Sequence, residues 1–140
     1  MNINRFEGVE WRKIIKKYQP DAWRSIWQIV NTVVPYIALW AIMLWSVGVS
    51  YWLTLLLSIP TAGFMVRTFI IFHDCGHGSF FKSRRANLIV GIITGILTYT
   101  PWQLWWHEHN VHHANAGNLD KRGIGDVDTW TVEEYLAAPF

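Results

Sequence analysis

Hydrophobic positions change their spacing twice along this chain. Between Val9 and Tyr18, the residues Trp11, Ile14, Ile15 and Tyr18 recur at helical spacing while Arg12, Lys13, Lys16 and Lys17 fill the other face. That pattern predicts a short basic amphipathic helix of the kind that lies on a membrane surface, closed by Pro20. Periodicity then gives way to continuous apolarity: residues 25 to 66, 42 positions, contain no charged side chain. As one helix they would extend about 63 Å, roughly twice the hydrocarbon thickness of a bilayer, so the chain must turn back. A turn at Gly48–Ser50 divides the run most evenly, into spans over residues 29–49 and 52–72. Pro35 and Pro60 then fall inside spans, where membrane helices tolerate them if neighbours satisfy the freed carbonyls.

A second apolar run, Asn87 to Trp106, is shorter. Its continuous part, Leu88 to Leu97, would reach only about 15 Å as a helix, well short of spanning. It is expected to be re-entrant or interfacial, with Tyr99, Trp102, Trp105 and Trp106 as an aromatic belt at headgroup level. Beyond His113 the chain turns polar and glycine-rich, and Thr131-Val-Glu-Glu134 has the form of a capping box opening a new helix. The expected fold is an all-α integral membrane structure, a transmembrane helical hairpin followed by re-entrant or interfacial helices. Its organisation would be an interfacial segment (1–25), the hairpin, a histidine-rich region (73–113), and a loop leading into a helix (114–140).

Composition agrees with a membrane chain, since hydrophobic residues make up 51% and charged residues only 16%. Charge placement sets the orientation. Arg5, Arg12, Lys13, Lys16, Lys17 and Arg24 precede the first span, Lys82, Arg84 and Arg85 follow the second, and the turn between the spans has none. The positive-inside bias therefore puts both ends of the hairpin in the cytoplasm. No basic run is interleaved with aromatics, so a nucleic-acid partner is not expected. The single cysteine, Cys75, excludes an internal disulfide framework and any CxxC metal site. The first apolar run is too long, and starts too late, for a secretory signal.

All six histidines fall in two clusters, His73-Asp-Cys-Gly-His77 and His107-Glu-His109-Asn-Val-His112-His113. Residues four apart share a helix face, so His73 and His77 can offer imidazoles to one ion, and His109 stands in the same relation to His113 and, at i+3, to His112. A crossing segment between the clusters would put them on opposite sides of the bilayer, so shared ligation also requires residues 87–106 to turn back. The metal-ligand expectation covers His73, His77, His109, His112 and His113. His107, two residues from His109, points elsewhere and is given at most an outer or surface role. Asp74, Glu108 and Asn110 are candidates to hydrogen-bond free ring nitrogens. Arg67, within the second span, is costly there and suggests function, but it is also close enough to the cytoplasmic end to snorkel and shares a face with Asp74, so a structural ion pair is an equal contender. The zinc-protease HExxH is ruled out because Val111 stands where its second histidine should be, and zinc-finger spacing fails for want of cysteines.

The order of membrane hairpin, HDCGHGSFF at 73–81, apolar segment, and HHxxxGNLDxRGxGD at 112–126 resembles the membrane-bound fatty acid desaturases, particularly the bacterial and cyanobacterial branch related to acyl-lipid Δ12 and ω-3 enzymes. The resemblance runs from the hairpin to Glu134. It implies a di-iron centre held almost entirely by histidines, O2 as co-substrate, a membrane acyl chain as substrate, and an electron donor such as ferredoxin or cytochrome b5. His73 and His77 then match the first histidine box and His109, His112 and His113 the second, with no catalytic residue separate from the metal ligands. The family also carries a third HxxHH box, whereas no histidine follows His113 here. On that basis the chain is expected to be the N-terminal part of a desaturase, inactive alone. A related di-iron hydroxylase or oxygenase, and a non-catalytic truncated remnant, are the alternatives.

Overall fold

The computed structural model describes residues 10, 13–14, 18–121, 123 and 129–139, and the regular elements among them are all helical. The amphipathic helix expected over 9–18 lies largely outside the described residues, as do parts of the motif at 112–126. In chain order the helices are α1 (Ala22–Ser46), α2 (Tyr51–Gly76), α3 (Arg84–Leu97), α4 (Trp102–Asn115) and α5 (Val132–Ala137), with a 3-10 turn at Leu119–Lys121. The chain divides into two units, residues 1–99 with α1 to α3 and residues 100–140 with α4 and α5.

In the first unit Asp21 starts α1, its carboxylate accepting the Arg24 N–H at 2.9 Å. The chain reverses at residues 47–50, and the Ser46 and Thr54 hydroxyls meet across the reversal at 2.8 Å. At 25 and 26 residues, α1 and α2 are each about 38 Å long, and both are apolar enough to cross a membrane. Their limits differ from the 29–49 and 52–72 expected from hydropathy, because capping rather than the hydrocarbon edge decides where a helix ends. His73 consequently lies within the last turn of α2 instead of beyond it.

Packing among α1, α2 and α3 inverts the usual arrangement of a water-soluble core. Ser25, Thr32, Ser46, Thr61, Thr68, Asn87, Thr94 and Thr98 are buried, while Trp23, Trp27, Leu44, Trp45, Leu56, Ile59, Val66, Ile89 and Ile96 are exposed. Without water outside, apolar side chains gain little by turning inward, and small residues at the interface let backbones approach. Several of the buried hydroxyls are satisfied by their own helix, as in Thr61 to the Leu57 carbonyl (2.7 Å), Thr68 to Phe64 (2.8 Å) and Thr94 to Val90 (2.7 Å). The larger buried groups, Tyr36, Ile71, Phe72, Cys75 and Phe80, are grouped mainly around the end of α2.

The apolar run beyond residue 87 does not form one helix. α3 has 14 residues, about 21 Å, less than the roughly 30 Å of hydrocarbon, and it stops at Thr98 and Tyr99, the latter at φ 56°. A helix end at a buried position must satisfy its last carbonyls locally, and Thr98 is buried. Here Thr98 donates its N–H and hydroxyl to the Thr94 carbonyl (3.0 and 2.9 Å), and its N–H reaches Gly95 as well (3.2 Å). Tyr99 N–H donates to Ile96 (3.2 Å), and the Tyr36 hydroxyl of α1 donates to the Leu97 carbonyl (3.0 Å). Tyr36→Phe should therefore leave one carbonyl orphaned and lower stability by about 1–3 kcal/mol, measurable as a reduced midpoint of unfolding in mixed detergent micelles.

In the second unit α4 follows Pro101. α5 begins with the capping box that its sequence predicts: Glu134 N–H donates to Thr131 Oγ1 (3.2 Å) and Thr131 N–H to the Glu134 carboxylate (2.7 Å).

Candidate metal centre

The first histidine pair sits where α2 ends. His77 is the helix cap, its N–H still donating to the His73 carbonyl at 3.1 Å. Gly78 follows in the left-handed region (φ 65°), which lets its N–H reach the Cys75 carbonyl (2.9 Å) and Ser79 N–H reach that of Asp74 (3.0 Å). This double closure holds the last turn, and with it the 73–77 face, in helical geometry. A Cβ on Gly78 would meet no neighbour, so the penalty of Gly78→Ala is purely conformational. It should cost about 1–2 kcal/mol, read from the unfolding midpoint of the purified chain in detergent.

The segment after Gly78 is also tied down. The Ser25 hydroxyl of α1 donates to the Phe80 carbonyl at 2.7 Å, and the buried Asn87 side chain brackets Phe81, accepting its N–H and donating to its carbonyl, both at 2.8 Å. Ser83 then caps α3 by accepting the Ala86 N–H at 3.3 Å. The first histidine cluster thus stands on a helix end whose outgoing chain is clamped to α1 and α3.

Within that cluster His73 Nε2 and His77 Nε2 are 3.3 Å apart. His73 Nδ1 faces Asp74 Oδ1 at 3.2 Å, which favours the tautomer that leaves Nε2 with its lone pair. In α4, separately, His109 Nε2 and His113 Nε2 are 3.0 Å apart. The Trp105 ring stacks on His109, centroids 4.3 Å apart at 17°, and fixes that imidazole from one side. The ring of His112 stands 6.0 Å from His109 and 5.4 Å from His113.

These spacings can be tested against ligation. Two nitrogens bound at about 2.1 Å to one ion stand about 3.0 Å apart at a right angle and about 3.4 Å apart at a tetrahedral angle. Both Nε2 pairs fall in that interval. A direct imidazole–imidazole hydrogen bond has a similar length, but each pair taken by itself, at i and i+4 and with one ring held by a neighbour, offers imidazole donors of the kind that Fe, Zn, Cu or Ni favours. The histidine pairs are thus consistent with a metal site.

The remaining residues singled out from sequence divide differently. Asp74 does contact a ring nitrogen. Asn110 instead donates to the Trp106 carbonyl one turn back (2.8 Å), and neither His107, which is exposed, nor Glu108 hydrogen-bonds among the described residues. Arg67 bonds across to Asn31 Oδ1 of α1 (3.0 Å), not to Asp74. Trp105, expected from sequence only as part of an aromatic belt, also stacks on His109, an i−4 relation that was visible in the sequence, whereas the contact of Asn87 with Phe81 had no local signal.

Comparison with known proteins gives a consistent answer. The family model described as fatty acid desaturase matches residues 50–140. A fatty acid desaturase of Bacillus subtilis (strain 168) is 52% identical over 120 residues, covering 86% of this chain and 34% of that protein. An sn-1 oleoyl-lipid 12-desaturase of Synechocystis is 30% identical over 131 residues, 91% of this chain and 34% of that protein. An sn-1 acyl-lipid omega-3 desaturase (ferredoxin) from the same organism is 44% identical over 52 residues, 37% of this chain and 14% of its own length. The chain spans about a third or less of each of these relatives, and no solved structure matches it.

Proposed function

Because the chain belongs to the fatty acid desaturase family, we propose that it serves the oxygen-dependent introduction of a double bond into a membrane acyl chain, with iron held by His73, His77, His109, His112 and His113. The observation that carries this is the pair of Nε2–Nε2 spacings, 3.3 and 3.0 Å, each built into one helical turn. Bound iron would supply, with O2, the oxidising power to break unactivated C–H bonds, which side-chain acids and bases lack. The balance is two hydrogens from adjacent methylenes, two external electrons and two protons, with O2 reduced to two waters.

The chain's own residues have narrower tasks. His73 and His77 present nitrogens from the end of an apolar helix, Asp74 keeps the His73 ring turned, and Trp105 keeps His109 from rotating. The electron donor is of the ferredoxin or cytochrome b5 type, and the name of the Synechocystis omega-3 relative supports the ferredoxin. Lys82, Arg84 and Arg85 beside the first pair support a cytoplasmic position for the histidines, in a bacterial inner membrane.

The test is a chimera in which this chain replaces the segment it matches in the Bacillus relative, expressed in a bacterial host whose lipids have no polyunsaturated chains. Fatty acids bearing an additional double bond are expected on gas chromatography with mass detection. Hydroxylated chains without new double bonds, or no oxidised product from a chimera correctly inserted in the membrane, would overturn the proposal.

A further inference from the structure

Arg67 lies deep in α2. It is nine residues from Gly76, about 14 Å along the helix, and its partner Asn31 is equally far from the start of α1. Since α2 exceeds the hydrocarbon thickness by roughly 9 Å, shared between its ends, Arg67 sits about 10 Å inside the apolar layer. A guanidinium there is costly and calls for a counter-charge. Asn31 takes one of its donors and the Phe64 ring lies 5.5 Å away, which together fix its direction without neutralising it. Among the described residues no carboxylate pairs with it: Asp74, about 10 Å further along α2, faces His73. Arg67 is exposed on the outside of the hairpin.

A second feature lies one turn away on the same face. A Cβ added to Gly63 would meet nothing within 4 Å, so packing inside this unit does not require glycine there. Glycine weakens a helix interior, and in a membrane its use is to let another backbone come close.

We propose that the Gly63–Arg67 face of the hairpin is the packing site for another transmembrane helix, whose Asp or Glu carboxylate meets the Arg67 guanidinium. The other occupants fail on charge or depth. A second copy would bring the same cation and no acid, since residues 25–66 carry no charge. Phospholipid phosphates lie outside the hydrocarbon, about 10 Å too far from Arg67.

The experiment uses the whole chain, labelled for energy transfer, in phosphatidylcholine vesicles with a designed Leu/Ala transmembrane peptide carrying one Asp at the depth of Arg67. Association about tenfold tighter than with the same peptide carrying Leu is expected. That preference should vanish in Arg67→Leu, which removes a membrane charge and so inserts at least as readily, and fall in Gly63→Ile with helical content unchanged by circular dichroism. Equal association of the Asp and Leu peptides, an Asp preference that survives Arg67→Leu, or binding that follows anionic lipid content instead of the peptide, would each overturn the proposal.

Discussion

His109→Ala in the chimeric enzyme should abolish new double bonds and lower bound iron by more than about a hundredfold, because loss of an outer partner alone costs 10–100-fold in metal affinity. The physical reason is the pair itself: His109 Nε2 is one of two nitrogens 3.0 Å apart, and alanine removes the nitrogen that stands closest to His113 Nε2. His107→Ala should leave both iron content and product unchanged, since His107 is exposed and belongs to neither pair. His112→Ala separates two arrangements of the second cluster. With His112 as a ligand, iron falls as far as in His109→Ala; with only the close pair binding, iron is retained. Asp74→Asn should fall between the extremes, at 10–100-fold weaker iron binding, because the Asp74 contact orients His73 without binding metal. Iron per chain by atomic absorption, measured beside the lipid profile, distinguishes these outcomes even where turnover is lost in all of them.

Asn87→Leu is the second large effect. The Asn87 side chain makes two 2.8 Å bonds to the backbone of Phe81, and leucine of similar volume leaves an N–H and a carbonyl without partners beside a buried position. Each orphaned group costs about 1–3 kcal/mol, so a loss of about 2–6 kcal/mol is expected, read from the unfolding transition of the detergent-solubilised chain. Ser83→Ala, which removes only the cap of α3 in the same loop, should cost about 1 kcal/mol. If the two substitutions proved equally mild, the bracket around Phe81 would not be what clamps the segment following His77.

Much of the hairpin could be read directly, because charge is excluded from hydrocarbon so strongly that 42 uncharged positions leave few alternatives. The i, i+4 histidines were equally legible, since 3.6 residues per turn is a property of any helix. The ends of elements were not. Hydropathy saw the second span stop at residue 72, but helical bonding carries α2 through Gly76 because Gly78 can adopt a positive φ and close the last turn. Arg67 suggested an ion pair with Asp74, whereas its partner is Asn31, 36 positions away, and only the antiparallel packing of α1 on α2 brings them together. That residues 88–97 are too short to span followed from length, but the break into two helices at residues 98–101 did not, and Tyr36 as the donor that closes the first of them is a contact across 61 residues that left no trace in local pattern.

The three α1 hydroxyls that reach beyond their own helix, Ser25 to Phe80, Tyr36 to Leu97 and Ser46 to Thr54, stand eleven and ten residues apart, close to three helical turns each. They therefore share one stripe of α1 at three successive depths. A slip of α1 by a single residue would shift the stripe by 1.5 Å and turn it by about 100°, breaking all three contacts together. A helix that contributes no histidine thus acts as the ruler of its unit: it sets the height of the loop after the first histidine pair and the depth at which α3 stops. Insertions or deletions between Ser25 and Ser46 should therefore not be tolerated, because even one that restores the angle of the stripe moves its hydroxyls to the wrong depth, a constraint that composition alone would never impose.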